Sequence, residues 1–210
     1  MLFVAFGPDS FSQNHAFSDE IENFKQQDNI QKPKENAILF VGSSSFRMWD
    51  SIQNYFPGFP IINRGFGGSS LRDVIYYADD IIFPYRPKQI VIYCGENDLT
   101  EPNVDAATVS DRFKILFEMI RKQFQEIPVV FVSIKPSPVR KQHRASVEAA
   151  NASIRYYLTQ QTNTAFVDVY QLMLNSDGKP KPEIFKSDSL HMNEKGYFIW
   201  KNAIGPYLKK

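Results

Sequence analysis

Ile38-Leu39-Phe40-Val41-Gly42-Ser43-Ser44-Ser45 is the stretch that decides how this chain folds. Apolar residues in unbroken succession suit a strand covered on both faces, as in a parallel sheet flanked by helices. The run begins at Ala37 and ends at Val41. Beyond Gly42 come three hydroxyls in a tight turn that opens a helix through Phe46-Arg47-Met48-Trp49. A serine in such a turn sits at a helix N-terminus, where free N–H groups and the positive dipole end favour a developing anion. Serine is also a preferred helix cap, so this turn alone does not separate chemistry from capping.

Working outward, four more apolar runs read as strands: Pro60 to Asn63, Ile90 to Cys94, Pro128 to Ser133 and Thr164 to Val169. Helical patterns fill the gaps, over Leu71 to Ile82, Ala106 to Gln125, Ala145 to Gln160 and Glu194 to Leu208. The longest carries Phe113, Leu116, Phe117 and Ile120 on one face, and Asn193 is placed to cap the last. Ser18 before Asp19 and Glu20 reads as the N-cap of an opening helix, and Lys32 to Asn36 as a polar connector. Strands alternating with helices predict an α/β fold, a three-layer α/β/α sandwich on a five-stranded, mostly parallel, flavodoxin-like sheet. Residues 1–36 form an arm and helix, and residues 37–210 a single globular domain. In such sheets ligands bind at the rim formed by the strands' C-terminal ends.

Composition narrows the function classes. The chain has 210 residues, 43% of them hydrophobic, enough for one full core. Lys plus Arg number 24 against 23 Asp plus Glu, so no basic footprint for nucleic acid is expected. Cys94 is the only cysteine, which excludes an internal disulfide, and it reads as a small buried hydrophobe. No Cys or His cluster has metal-ligand spacing, so neither metal nor cofactor is expected. No segment reaches transmembrane length. Met1 to Gly7, followed by Ser10 to Gln13, reads either as the tail of an export signal or as a loose arm. The compartment stays open between cytoplasmic and exported, and the oligomeric state is open too.

Each polar cluster follows a strand or begins a helix at the expected rim. Asn63-Arg64-Gly65-Phe66-Gly67-Gly68-Ser69-Ser70 can bring backbone amides close to a ligand, and it matches neither a Walker nor a dinucleotide glycine pattern. A nucleotide-binding reading therefore lacks its fingerprint. Gly95-Glu96-Asn97-Asp98 can turn an amide side chain into the cleft, or simply form an Asx-type turn. Asp188-Ser189-Leu190-His191 offers a carboxylate and an imidazole three residues apart. His15 and His143 read as solvated surface residues. Nucleophile, base and orienting acid are the parts of a serine hydrolase.

Taken in order, the four blocks resemble the SGNH/GDSL hydrolase superfamily. They are Gly-x-Ser after the first strand, Asn-x-Gly-x-Gly-Gly after the second, Gly-x-Asn-Asp after the third and Asp-x-x-His before the last helix. The resemblance covers roughly residues 37 to 200. It implies Ser44 as nucleophile, His191 as general base and Asp188 as its orienting acid. It further implies an oxyanion hole made by the N–H of Ser44, the N–H of Gly68 and the side-chain amide of Asn97. Ser43 stands where the family usually has Asp, which removes a carboxylate that could brace the turn. Ser43 and Ser45 flank the nucleophile position, and the turn geometry favours Ser44. The implied activity is carboxylic ester hydrolysis, on short acyl groups such as acetylated carbohydrates. Lysophospholipid or thioester hydrolysis, and a ligand-binding member without turnover, are the alternatives. Arg47 and Arg64 border the expected cleft, either for substrate or as structural ion pairs.

Overall fold

A computed structural model describes residues 15–210. The two readings of Met1 to Gln13 lie outside the described residues. Five strands form one sheet: β1 (Ile38–Gly42), β2 (Ile61–Gly65), β3 (Gln89–Tyr93), β4 (Val129–Val132) and β5 (Thr164–Val167). Their order is β2-β1-β3-β4-β5 and every neighbouring pair is parallel. Each strand begins and ends within two residues of the position expected for it.

Nine α-helices are described: α1 (Ser18–Ile30), α2 (Ser44–Arg47), α3 (Ile52–Tyr55), α4 (Leu71–Tyr76), α5 (Ala78–Ile81), α6 (Ala106–Gln123), α7 (Arg144–Thr159), α8 (Val169–Leu172) and α9 (Glu194–Ile204). Alternation along the strands sorts them into two layers. Leu39, Val41, Ile90 and Ile92 face a core shared with α1, α4, α5, α6 and α7. Ile38, Phe40, Val91 and Tyr93 face the other, shared with α2, α3, α8 and α9.

Three expectations change. Ser18 is the first helical residue and not the cap; Phe17 occupies the cap position at φ 70° with no side-chain cap bond. Its ring is held instead by packing edge-on against Phe66, at 5.4 Å between centroids. The helix expected over Leu71 to Ile82 breaks at Tyr77 (φ −94°, ψ 12°) into α4 and α5. Tyr77 there donates to the Ala16 carbonyl at 2.8 Å. The last α-helix stops at Ile204 and continues as a 3-10 turn over Gly205–Tyr207. Pro206 explains this, because it lacks the N–H that would extend the ladder.

Candidate active site

The chain between β1 and α2 makes a tight turn at the sheet rim. Gly42 has φ +146°, and a Cβ there would lie 1.8 Å from the Tyr93 carbonyl oxygen, so only glycine fits. Ser43 builds the turn with its main chain: its N–H donates to Tyr93 O at 3.1 Å, and its carbonyl accepts from Phe46 and Arg47. Its side chain makes no cap bond. Ser43 and Ser45 are buried, at 3% and 2% exposure, whereas Ser44 between them is half-buried.

Ser44 Oγ lies 3.1 Å from His191 Nε2, although 147 residues separate them. His191 Nδ1 lies 2.7 Å from Asp188 Oδ2. The other carboxylate oxygen of Asp188 accepts from the Leu190 and His191 amides, both at 2.9 Å, so the loop carrying the imidazole is tied to the acid that orients it. Burial raises the cost of the Asp188 charge, but the bonds from the His191 ring and the two amides outweigh it and lower its pKa to about 2.

The Gly-rich loop after β2 runs alongside. Among the described residues the N–H groups of Ser44 and Gly68 have no hydrogen-bond partner. Gly68 is exposed, and a Cβ on it would stand 3.9 Å from Asn97 Nδ2. Asn97 Nδ2 donates to Ser69 O at 2.9 Å, which uses one of its two hydrogens. Ser44, Gly68, Asn97, Asp188 and His191 are therefore gathered at the C-terminal ends of β1, β2 and β3 and the entry to α9.

Other singled-out residues serve the scaffold. Asp98 is fully buried and accepts from Leu71 N, at the start of α4, and from Arg112 on α6. Arg47 pairs with Glu20 at 2.8 Å. Arg64 pairs with Asp28 and donates to Tyr85 at 2.6 Å. Cys94 is buried, and burial pushes its thiol pKa well up, so the thiolate is suppressed. His15 packs on Tyr76, with ring centroids 4.1 Å apart, and His143 is half-buried.

Sequence reasoning missed two supports. Glu20 on α1 accepts from Gly67 N at 3.1 Å and so holds the Gly-rich loop from outside. Arg140, in the 3-10 segment Pro138–His143, donates to Asn97 Oδ1 at 2.8 Å. Neither left a signal in the sequence, and Lys135, 1% exposed and paired with Glu96, was not singled out there either.

Residues 40–199 match the GDSL-like Lipase/Acylhydrolase family. The chain belongs to that family, one of hydrolases acting on esters. It is 23% identical over 152 residues to an isoamyl acetate-hydrolyzing esterase of Schizosaccharomyces pombe. That match covers 70% of the chain but 61% of the relative, so the chain spans less than two thirds of the relative's length. A GDSL-like lipase structure from Bacteroides thetaiotaomicron aligns at a TM-score of 0.76 and 20% identity, covering 89% of this chain and 95% of that one. A variant of an acetyl-xylooligosaccharide esterase from Geobacillus stearmophilus aligns at 0.68 and 14%, covering 85% and 96%. At these identities the structural likeness is one of fold. Among the described residues no helix is long and apolar enough to cross a membrane.

Proposed function

We propose that this GDSL-family protein is a serine esterase that removes short acyl groups, acetyl above all, from small-molecule or carbohydrate esters. Ser44 Oγ attacks the ester carbonyl while His191 Nε2 takes its proton, and Asp188 fixes the tautomer and offsets the imidazolium charge. The N–H groups of Ser44 and Gly68 and the free hydrogen of the Asn97 amide bind the oxyanion. His191 then returns the proton to the leaving alkoxide. Water, deprotonated by the same imidazole, cleaves the acyl-Ser44 ester and restores the free hydroxyl.

The observation that carries this reading is the unbroken hydrogen-bonded series Ser44–His191–Asp188, drawn from opposite ends of the chain. Short acyl groups are favoured by openness: among the described residues Gly68 is exposed and the Asp188 side chain is 47% exposed. The acetate esters in the names of two relatives point the same way. The test is a series of p-nitrophenyl esters from acetyl to dodecanoyl, with wild type and Ser44→Ala. The expected result is a kcat/KM highest for acetyl and abolished by Ser44→Ala. A maximum at long chains would move the reading to a lysophospholipase-type acylhydrolase. No turnover by a folded wild type on any ester would favour a ligand-binding member.

A further inference from the structure

Asn97 is held on both sides, and its two partners agree on which way its amide must face. A guanidinium only donates, so the atom 2.8 Å from Arg140 Nη2 is the amide oxygen. A backbone carbonyl only accepts, so the atom 2.9 Å from Ser69 O is the amide nitrogen. Turning the amide over would lose both bonds and aim a carbonyl oxygen at the place where the substrate's negative charge develops.

Arg140 is itself backed by buried charge. Its Nη1 is buried, has no hydrogen-bond partner among the described residues and lies 3.6 Å from Glu96 Oε1, which is likewise unpartnered. The other oxygen of Glu96 accepts from Lys135 Nζ and from Tyr93 at 2.8 Å. Lys135 also donates to Ser137 at 2.8 Å. Burial disfavours the Glu96 charge, yet Lys135 and Arg140 hold its pKa below the ordinary value. Two cations thus surround one carboxylate immediately behind Asn97. The segment carrying Arg140 also bonds to the other half of the site, because Val139 N donates to Ser189 O at 3.2 Å, between Asp188 and His191.

We propose that Arg140 is a positioning residue for ester hydrolysis: it locks the Asn97 amide with its nitrogen toward the oxyanion and, backed by Glu96 and Lys135, polarises that donor. This rests on the reading of Asn97 as an oxyanion donor. A purely structural ion pair would stabilise the fold but would act on rate independently of Asn97, and that difference is measurable.

The experiment is a double-mutant cycle with Asn97→Ala, Arg140→Met and the pair, measuring kcat and KM on p-nitrophenyl acetate alongside thermal unfolding. Arg140→Met is expected to lower kcat about 10- to 100-fold, less than the roughly 10²–10³ that outright loss of one oxyanion donor costs, with little change in KM. Arg140→Lys should recover part of the loss. In the Asn97→Ala background, Arg140→Met should cost almost nothing more. Should Arg140→Met fail to fold, Arg140→Lys carries the same cycle. Equal losses in both backgrounds, or an unchanged kcat in folded Arg140→Met, would overturn the inference while a dead Ser44→Ala still upheld the esterase reading. Wild-type kcat in Asn97→Ala would remove the oxyanion role and this inference with it.

Discussion

Of the three adjacent hydroxyls, burial singles out one: Ser43 and Ser45 are enclosed, and only Ser44 reaches an imidazole. Ser43 stands where the family resemblance leads one to expect Asp, yet it shapes the turn with main-chain bonds. Ser43→Ala should therefore keep ester turnover within a few-fold of wild type, whereas Ser44→Ala should lose it; steady-state kinetics on one ester separates them. Asp188→Asn should lower kcat by roughly 10⁴, as removal of the orienting carboxylate does in other triads. The pH sign is fixed by the direction of the Asp188 shift. Its pKa falls from 3.8 to about 2, so its stabilising contribution is present above pH 3.8 and disappears as pH drops toward 2. The Tm gap between wild type and Asp188→Asn should hold at neutral pH, shrink below pH 3.8 and vanish as pH falls through 2. A gap as wide at pH 2 as at pH 7 would contradict this.

Elements rather than single residues set the rim geometry. β1 can meet α2 only through the Gly42 turn, so Gly42→Ala should cost about 3 kcal/mol or more, read from denaturant unfolding. The central strands were legible because Ala37 to Val41 and the cores of β3 and β4 are apolar runs, the mark of two-sided burial, whereas the edge strands β2 and β5 are only partly buried. The Asn193 cap was legible too, and its side chain accepts from Lys195 and Gly196. What misled was local chemistry overruled by distant packing. Ser18 looks like a cap, but contact with Phe66 fixes Phe17 there. The Leu71 to Ile82 pattern hides a break because nothing local marks Tyr77 as bonding back to Ala16.

Across the whole molecule, one aromatic cluster holds the ends of the chain together. Tyr197 on α9 stacks on Trp49 at 5.0 Å and donates to Ser45 O at 2.9 Å, while Trp200 meets Phe46 edge-on at 5.9 Å. This packing sets the last helix, and the loop before it, against the turn that carries Ser44. Trp200→Ala should cost about 3–5 kcal/mol and reduce turnover in whatever fraction stays folded, seen by calorimetry with parallel rate measurements. Residues 152 apart in sequence leave no local trace of such contacts, nor does Arg140 of its hold on Asn97. The four motif blocks were legible one by one; their convergence needed the sheet. The most direct test of the central claim is covalent: treat the folded protein with a fluorophosphonate and map the adduct by peptide mass spectrometry. A single adduct on Ser44, slowed by Asp188→Asn and lost with His191→Ala, is the predicted result. An adduct on another residue, or an unlabelled Ser44 in a protein that still cleaves esters, would contradict it.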